Sequence, residues 1–207
     1  MEHQRADRVV DVASVVLISI AAVLTAICSY QSGRWDGRQA QLYNRADAEH
    51  TYAAEASDRS NVLTAIDVGV FLNYLDAVDR RDQRMADFLA ARMRPEMRPA
   101  MRAWLATRPL QNPRAPSSPF VMPQYTLRTR TQGSKWEADA HANFEAAIVA
   151  NRHADDFLLL TVIFAGVSFL AGISTKLVFP RHLALIVIGG IATAYGLVRL
   201  VELPFLF

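Results

Sequence analysis

Three apolar runs, residues 9–27, 157–177 and 183–200, constrain this chain more than any other feature. Each is close to the ~20 residues with which a helix crosses roughly 30 Å of hydrocarbon at about 1.5 Å per residue. In 207 residues that are 52% hydrophobic and 20% charged, too little amphipathic material remains to bury three such helices inside a water-soluble core. The expectation is an all-α membrane protein with three transmembrane helices and a long antiparallel helical hairpin between the first and second.

The first run follows the charged lead "MEHQRADR" and is longer than the apolar core of a cleaved signal. In "LTAIC" the bulky Ile27 stands where a lipoprotein cleavage box needs a small residue before Cys28. The run therefore reads as an uncleaved anchor. Cys28 is the single cysteine, so an intrachain disulfide is excluded and a small apolar role in the span is expected. The divisions that follow are an N-terminal segment and first span at 1–30, an extramembrane hairpin at 31–156, a second span at 157–178 and a third with the C-terminus at 182–203.

From Gln39 to Arg92 there is no proline, and only Gly69 interrupts a helix-forming composition. This predicts one rod, with a buried stripe of Ile66, Val70, Tyr74, Val78, Met85, Phe88 and Leu89 and a thinner one of Ala46, Ala53 and Ala56. Seven prolines between Pro95 and Pro123 then end helical periodicity, and "TRPLQNPRAPSSPFVMPQY" reads as an extended connection. Beyond it Trp136, Ala140, Phe144 and Ile148 fall four apart, predicting an amphipathic helix that enters the second span without a breaker. Pro180 should turn the chain between the last two spans. Small residues suit helix contact at Ser168 with Gly172 in the second span, and at Gly190 with Ala194 or Ala192 with Gly196 in the third.

Charge is unevenly distributed. Residues 31–91 carry 7 Arg against 10 acids, whereas 92–130 carry 8 Arg against Glu96 alone. In "RMRPEMRPAMRAWLA", Arg94, Arg98 and Arg102 recur every four residues beside Met93, Met97, Met101 and Trp104. Such a guanidinium row would dock on anionic lipid, a polyanion or an acidic partner surface. The blander alternative, preferred here, is a cap in which Met and Trp close the hairpin core while the arginines face solvent or pair with stem acids. Nucleic acid is disfavoured, since aromatics are few and no recognition motif occurs.

Phosphate loops, Cys pairs, a nucleophile elbow and zinc-protease patterns are all missing from the sequence, so neither catalytic residues nor a cofactor or metal is assigned. Glu137, His141 and Glu145 share a helix face but lack the Glu-x-x-His pattern of di-iron bundles, and His50 beside Asp47 or Glu49 is a weaker metal candidate still. Asp11, Ser14, Ala22, Thr25 and Ser29 lie near one side of the first helix. Helix packing is the preferred role, and a polar pathway lined by several copies is the alternative. Arg199 and Glu202 should neutralise one another. Asp155 and Asp156 should clamp onto Arg34 or Arg38.

"CSYQSGRWDGRQA" marks the membrane boundary, with Tyr30 and Trp35 as interfacial anchors and Arg34 and Arg38 at the headgroups or the acids of the returning helix. Gly33 and Gly37 mark a closest approach or a hinge. Arg5, Arg8, Lys176 and Arg181 against Arg34 and Arg38 orient the N-terminus to the cytoplasm and the helical part outside.

The layout, together with "YQSGRWDGRQAQLYNRADAEHTYAA", resembles a group of uncharacterised small bacterial three-span membrane proteins with an N-terminal anchor, a coiled-coil-like middle and a closing two-span hairpin. The resemblance implies a multi-pass protein of the bacterial inner membrane and supplies no functional residues. The function expected is a non-enzymatic, self-associating assembly or interaction module whose partners are the bilayer, other copies and a protein or anionic partner at the basic tip. The alternatives are an oligomeric channel or transporter component lined by the first span, and a sensor of an anionic ligand through the tip.

Overall fold

The computed structural model describes residues 2–177 and 181–206, with side chains from Asp11 onward. Its described elements are helical: α1 (Glu2–Asp79), α2 (Gln83–Arg92), α3 (Met97–Ala106), a 3-10 turn (Pro119–Val121), α4 (Arg128–Ser174) and α5 (Arg181–Glu202). Three of these, α1 from Asp11, α4 and α5, are long and apolar enough to cross a membrane. The chain divides into two compact units, Met1–Asn44 with Asn143–Phe207, and Arg45–Ala142. Pro180 and the side chains of Arg5 and Arg8 lie outside the described residues.

In the first unit α1 presents small residues and α4 large ones. Ser14, Ala21 and Cys28 are fully buried at seven-residue intervals, as are Phe157, Phe164 and Ala171 on α4. The core they form also takes Leu160, Val167 and Leu200. Cys28 is thus a packing residue. Ser14 Oγ and Ser174 Oγ, 2.9 Å apart, satisfy each other in the buried seam. On α5 the packed face is Gly189, Thr193, Gly196 and Leu200, and a Cβ on Gly196 would stand 2.6 Å from Phe164 Cζ. Of the pairs expected from spacing, Ala192 with Gly196 packs against this core, whereas Gly190 and Gly172 have open space around them and Ala194 is exposed. Large apolar side chains such as Val23, Val162, Phe169 and Val198 point outward, 60–67% exposed, on the helices long and apolar enough to cross a membrane.

In the second unit the rod expected to reach Arg92 stops at Asp79. Arg81 takes a left-handed conformation, φ 61°; its N–H donates to the Val78 carbonyl and that of Asp82 to the Ala77 carbonyl, a Schellman closure made without glycine. Asp82 then caps α2 by accepting from the Met85 N–H at 3.0 Å. The expected stripe is corrected too. Val70 and Tyr74 pack against the core, but Ile66, Met85 and Phe88 are about half exposed. The buried residues of this stretch are Ser60, Asp67, Phe71, Ala77 and Ala86.

The proline-rich stretch is folded rather than extended. Phe120, Met122 and Tyr125 join Phe71, Met97, Met101 and Trp104 in one core, where Phe71 meets Trp104 and Phe120 edge-on at 5.2 and 5.6 Å. Pro99 sits in the first turn of α3, where its missing N–H costs nothing, and Pro95 precedes that helix. The Ala stripe of α1 is packed: Ala46 and Ala53 are buried, and a Cβ on Gly133 of α4 would meet Ala56 Cβ at 3.2 Å. On α4 the four-residue series is corrected to a seven-residue one. Ala140, Ala147 and Ala154 are buried, while Phe144 is 44% exposed.

Candidate functional site

The boundary stretch is a fastening point. Gln31 and Ser32, the residues just past the apolar run, are buried polar groups. The Gln31 side chain donates from Nε2 to the Leu206 carbonyl at 3.2 Å and accepts at Oε1 from the Leu206 N–H at 2.9 Å. It thus satisfies one residue of non-helical backbone completely. Ser32 Oγ donates to the Ala154 carbonyl at 3.0 Å. Trp35 Nε1 donates to the Pro204 carbonyl at 3.0 Å, and its ring lies against His153 at 4.6 Å between centroids, tilted by 49°. Phe205 closes the far side against Phe157, 5.5 Å between centroids.

One expectation for this stretch is corrected. Gly33 and Gly37 do not mark the closest approach, since nothing lies within 4 Å of a Cβ built on either. Instead they open a groove of about 850 Å³ lined by Arg34, Trp35, Arg38, Gln41, Leu42, Val149, Ala150 and Leu206. Asp155 accepts from Asn151 Nδ2 at 3.0 Å. Tyr30 is 63% exposed.

The basic tip is organised by a buried carboxylate. Asp67, 1% exposed, accepts from Arg94 Nε at 3.0 Å and from the Tyr125 hydroxyl at 2.9 Å. Arg94 also faces Glu96 at 3.6 Å. Burial is the chief cause that lifts the Tyr125 phenol above its ordinary value; the Thr64 hydrogen bond and Arg94 oppose it, and Asp67 adds to it. The guanidinium row is therefore corrected. Arg94 precedes α3 and is spent on Asp67, and Arg98 Nε donates to the Met93 carbonyl at 2.8 Å. Only Arg102 of the three is simply an exposed residue of α3. Trp104, 4% exposed, donates from Nε1 to the Pro116 carbonyl at 2.7 Å. These are the contacts of a cap.

The remaining candidates separate. Ser14 is buried, Thr25 is half-buried and donates to the Ala21 carbonyl, and Asp11 and Ser29 are exposed, so burial differs from residue to residue along this side of α1. Glu137 pairs with His50 Nδ1 at 3.2 Å, while Glu49 pairs with Arg45 at 3.2 Å. Among the described residues no group of three His, Cys, Asp or Glu is arranged to hold a metal ion. Arg199 Nη1 meets Glu202 at 2.8 Å.

Gln31, Asp67 and Tyr125 were not singled out by sequence, although Asp67 is the lone acid in "LTAIDVGVFL" and Gln31 the first amide past the apolar run. No family model, no curated protein and no solved structure matches the chain. Fold and site together define a helical protein with three helices capable of crossing a membrane.

Proposed function

We propose that the chain is a non-enzymatic integral membrane protein whose extramembrane helical part is a self-associating interaction module. One observation carries this reading: an apolar face of α1 that the chain leaves uncovered. Val62, Ile66 and Leu72 are 59%, 50% and 58% exposed, and nothing lies within 4 Å of a Cβ on Gly69 at the centre of that face. An apolar helix face outside the bilayer is suited to a second helix. Contacts within Arg45–Ala142 support an antiparallel hairpin, because His50, Tyr52 and Ser60 meet Glu137, Trp136 and Thr129 in reverse order. The charge pattern of Lys176 and Arg181 supports a cytoplasmic N-terminus and an external helical part in the bacterial cell membrane.

Cysteine cross-linking in membranes tests the module. In a Cys28→Ala background, Ile66→Cys and Leu72→Cys should form cross-linked dimers. Adding Val62→Glu should abolish the cross-link. A protein that stays strictly monomeric in detergent and gives no Ile66 or Leu72 cross-link refutes the proposal.

A further inference from the structure

Within Arg45–Ala142 the seam between α1 and α4 leaves an open aromatic groove along one flank. A Cβ on Gly133 would meet Ala56 Cβ at 3.2 Å, so bulky neighbours of that contact have no place between the helices. Tyr52 of α1 and Trp136 of α4 are such neighbours. Their rings are 5.3 Å apart between centroids and tilted by 55°, and Tyr52 is half-exposed. Around them a groove of about 310 Å³ is lined by Glu55, Arg59, Thr129 and Gln132. A second groove, of about 460 Å³, shares Gln132 and Trp136 and adds Arg128, Lys135 and Asp139. Both are of the size that takes a small ligand. Arg45 and Arg80 are held by Glu49 and Asp76, whereas neither Glu55 nor Arg59 has an ion-pair partner within 4 Å among the described residues.

An aromatic face takes a cation, a flat base or the C–H face of a sugar ring. A cation is repelled by Arg59, Arg128 and Lys135, and an anion by Glu55 and Asp139. A flat base held between two rings needs them parallel and about 7 Å apart, twice a carbon contact; these rings are closer and inclined. Glu55 only accepts hydrogen bonds, Arg59 only donates them and Gln132 does both. A sugar hydroxyl also does both, so it satisfies all three without bringing an unmatched charge. We propose that the joined grooves bind a short uncharged oligosaccharide. One sugar ring stacks on Tyr52 and Trp136 with its hydroxyls on Glu55, Arg59 and Gln132, and the next lies along Arg128 and Lys135. Val62, Ile66 and Leu72 line neither groove, so the inference stands apart from the self-association reading.

The test uses the full chain in a detergent without a sugar headgroup. Cellotetraose, maltotetraose and tetra-N-acetylchitotetraose, which differ in linkage and N-acetylation, are titrated by saturation-transfer NMR. At least one should saturate by about 10 mM, the range of a ligand held by a ring stack and a few hydrogen bonds. Trp136→Leu should weaken it about fivefold and Trp136→Phe by less than about twofold, because both fill the space but only the second keeps an aromatic face. Gln132→Ala, an exposed change that leaves the seam untouched, should also weaken it about fivefold. Phe88→Leu, a half-exposed aromatic of α2, should bind as wild type. Failure of all three sugars to bind, or wild-type binding by both Trp136→Leu and Gln132→Ala, overturns the proposal. Tighter binding of adenosine monophosphate than of every sugar also overturns it, in favour of base stacking, and tighter binding of tetramethylammonium does so in favour of a cation site.

Discussion

Asp67 is where one substitution should do most damage to the basic tip. Its carboxylate is 1% exposed and receives Arg94 Nε at 3.0 Å and the Tyr125 hydroxyl at 2.9 Å. Asp67→Ala strands both donors. Arg94, with a side chain 22% exposed, keeps only Glu96 at 3.6 Å, and Tyr125 keeps only the long contact to Thr64 at 3.5 Å. Stripping one member of a buried pair costs about 3–5 kcal/mol, and exchanging Asp for Ala inside a helix returns about half a kcal/mol. The net loss is about 3 kcal/mol, which should speed hydrogen exchange at the amides of residues 97–104 about a hundredfold in the full chain. Replacing the whole pair, Asp67→Leu with Arg94→Met, should bring exchange back to within about tenfold of wild type, because two apolar side chains remove the stranded charge. A change below about fivefold for Asp67→Ala, or a double variant no better than the single one, refutes the reasoning.

Two further outcomes follow from the packing and the phenol. Gly196→Ala forces a Cβ to within 2.6 Å of the fully buried Phe164 ring and should cost about 1–3 kcal/mol, whereas Gly190→Ala enters open space and should be neutral or stabilising; thermal unfolding in detergent with the order reversed would refute the assignment of the packed face. The raised Tyr125 value means the folded tip holds its proton more tightly than the unfolded chain, so this stabilisation is complete below the ordinary phenol value of about 10 and is lost as pH rises through the folded one. Tyr125→Phe should weaken the tip at neutral pH yet remove that alkaline decline, as read by exchange from pH about 8 to about 12.

The three apolar runs were legible because twenty apolar residues have few stable arrangements, and the Ala stripe because Ala46 and Ala53 recur at seven. The end of α1 was not. A proline or glycine would have announced it, but the closure uses Arg81 at φ 61° and Asp82 as a cap, and neither residue type excludes a helix interior. Spacing also misjudged which apolar residues turn inward. Ile66 and Phe71 belong to overlapping periodic series, and only the position of the Met and Trp residues of α3 selects Phe71. The joints at Gln31 and Trp35 were illegible for a different reason: their partners are the backbone carbonyls of Pro204 and Leu206 and the Leu206 N–H, which carry no sequence signature.

The narrowness of the seam between α1 and α4 explains why large apolar residues remain outside it. A Cβ on Gly133 would come within 3.2 Å of Ala56 Cβ and 3.4 Å of the Ala53 carbonyl oxygen, so the two backbones approach at a distance only Gly and Ala allow. A seam of that width has no room for Val62, which is 59% exposed two residues past Ser60, where α1 still meets Thr129 of α4, and the tip core, already filled by Phe71 and Trp104, leaves Ile66 and Leu72 outside as well. Small-residue packing thus buries little apolar area per turn and moves bulky residues to the opposite face, where only another molecule can cover them. If that face is the association surface, widening the seam with Ala53→Leu should weaken the fold of Arg45–Ala142, while Ile66→Glu should leave the fold intact and remove only the dimer.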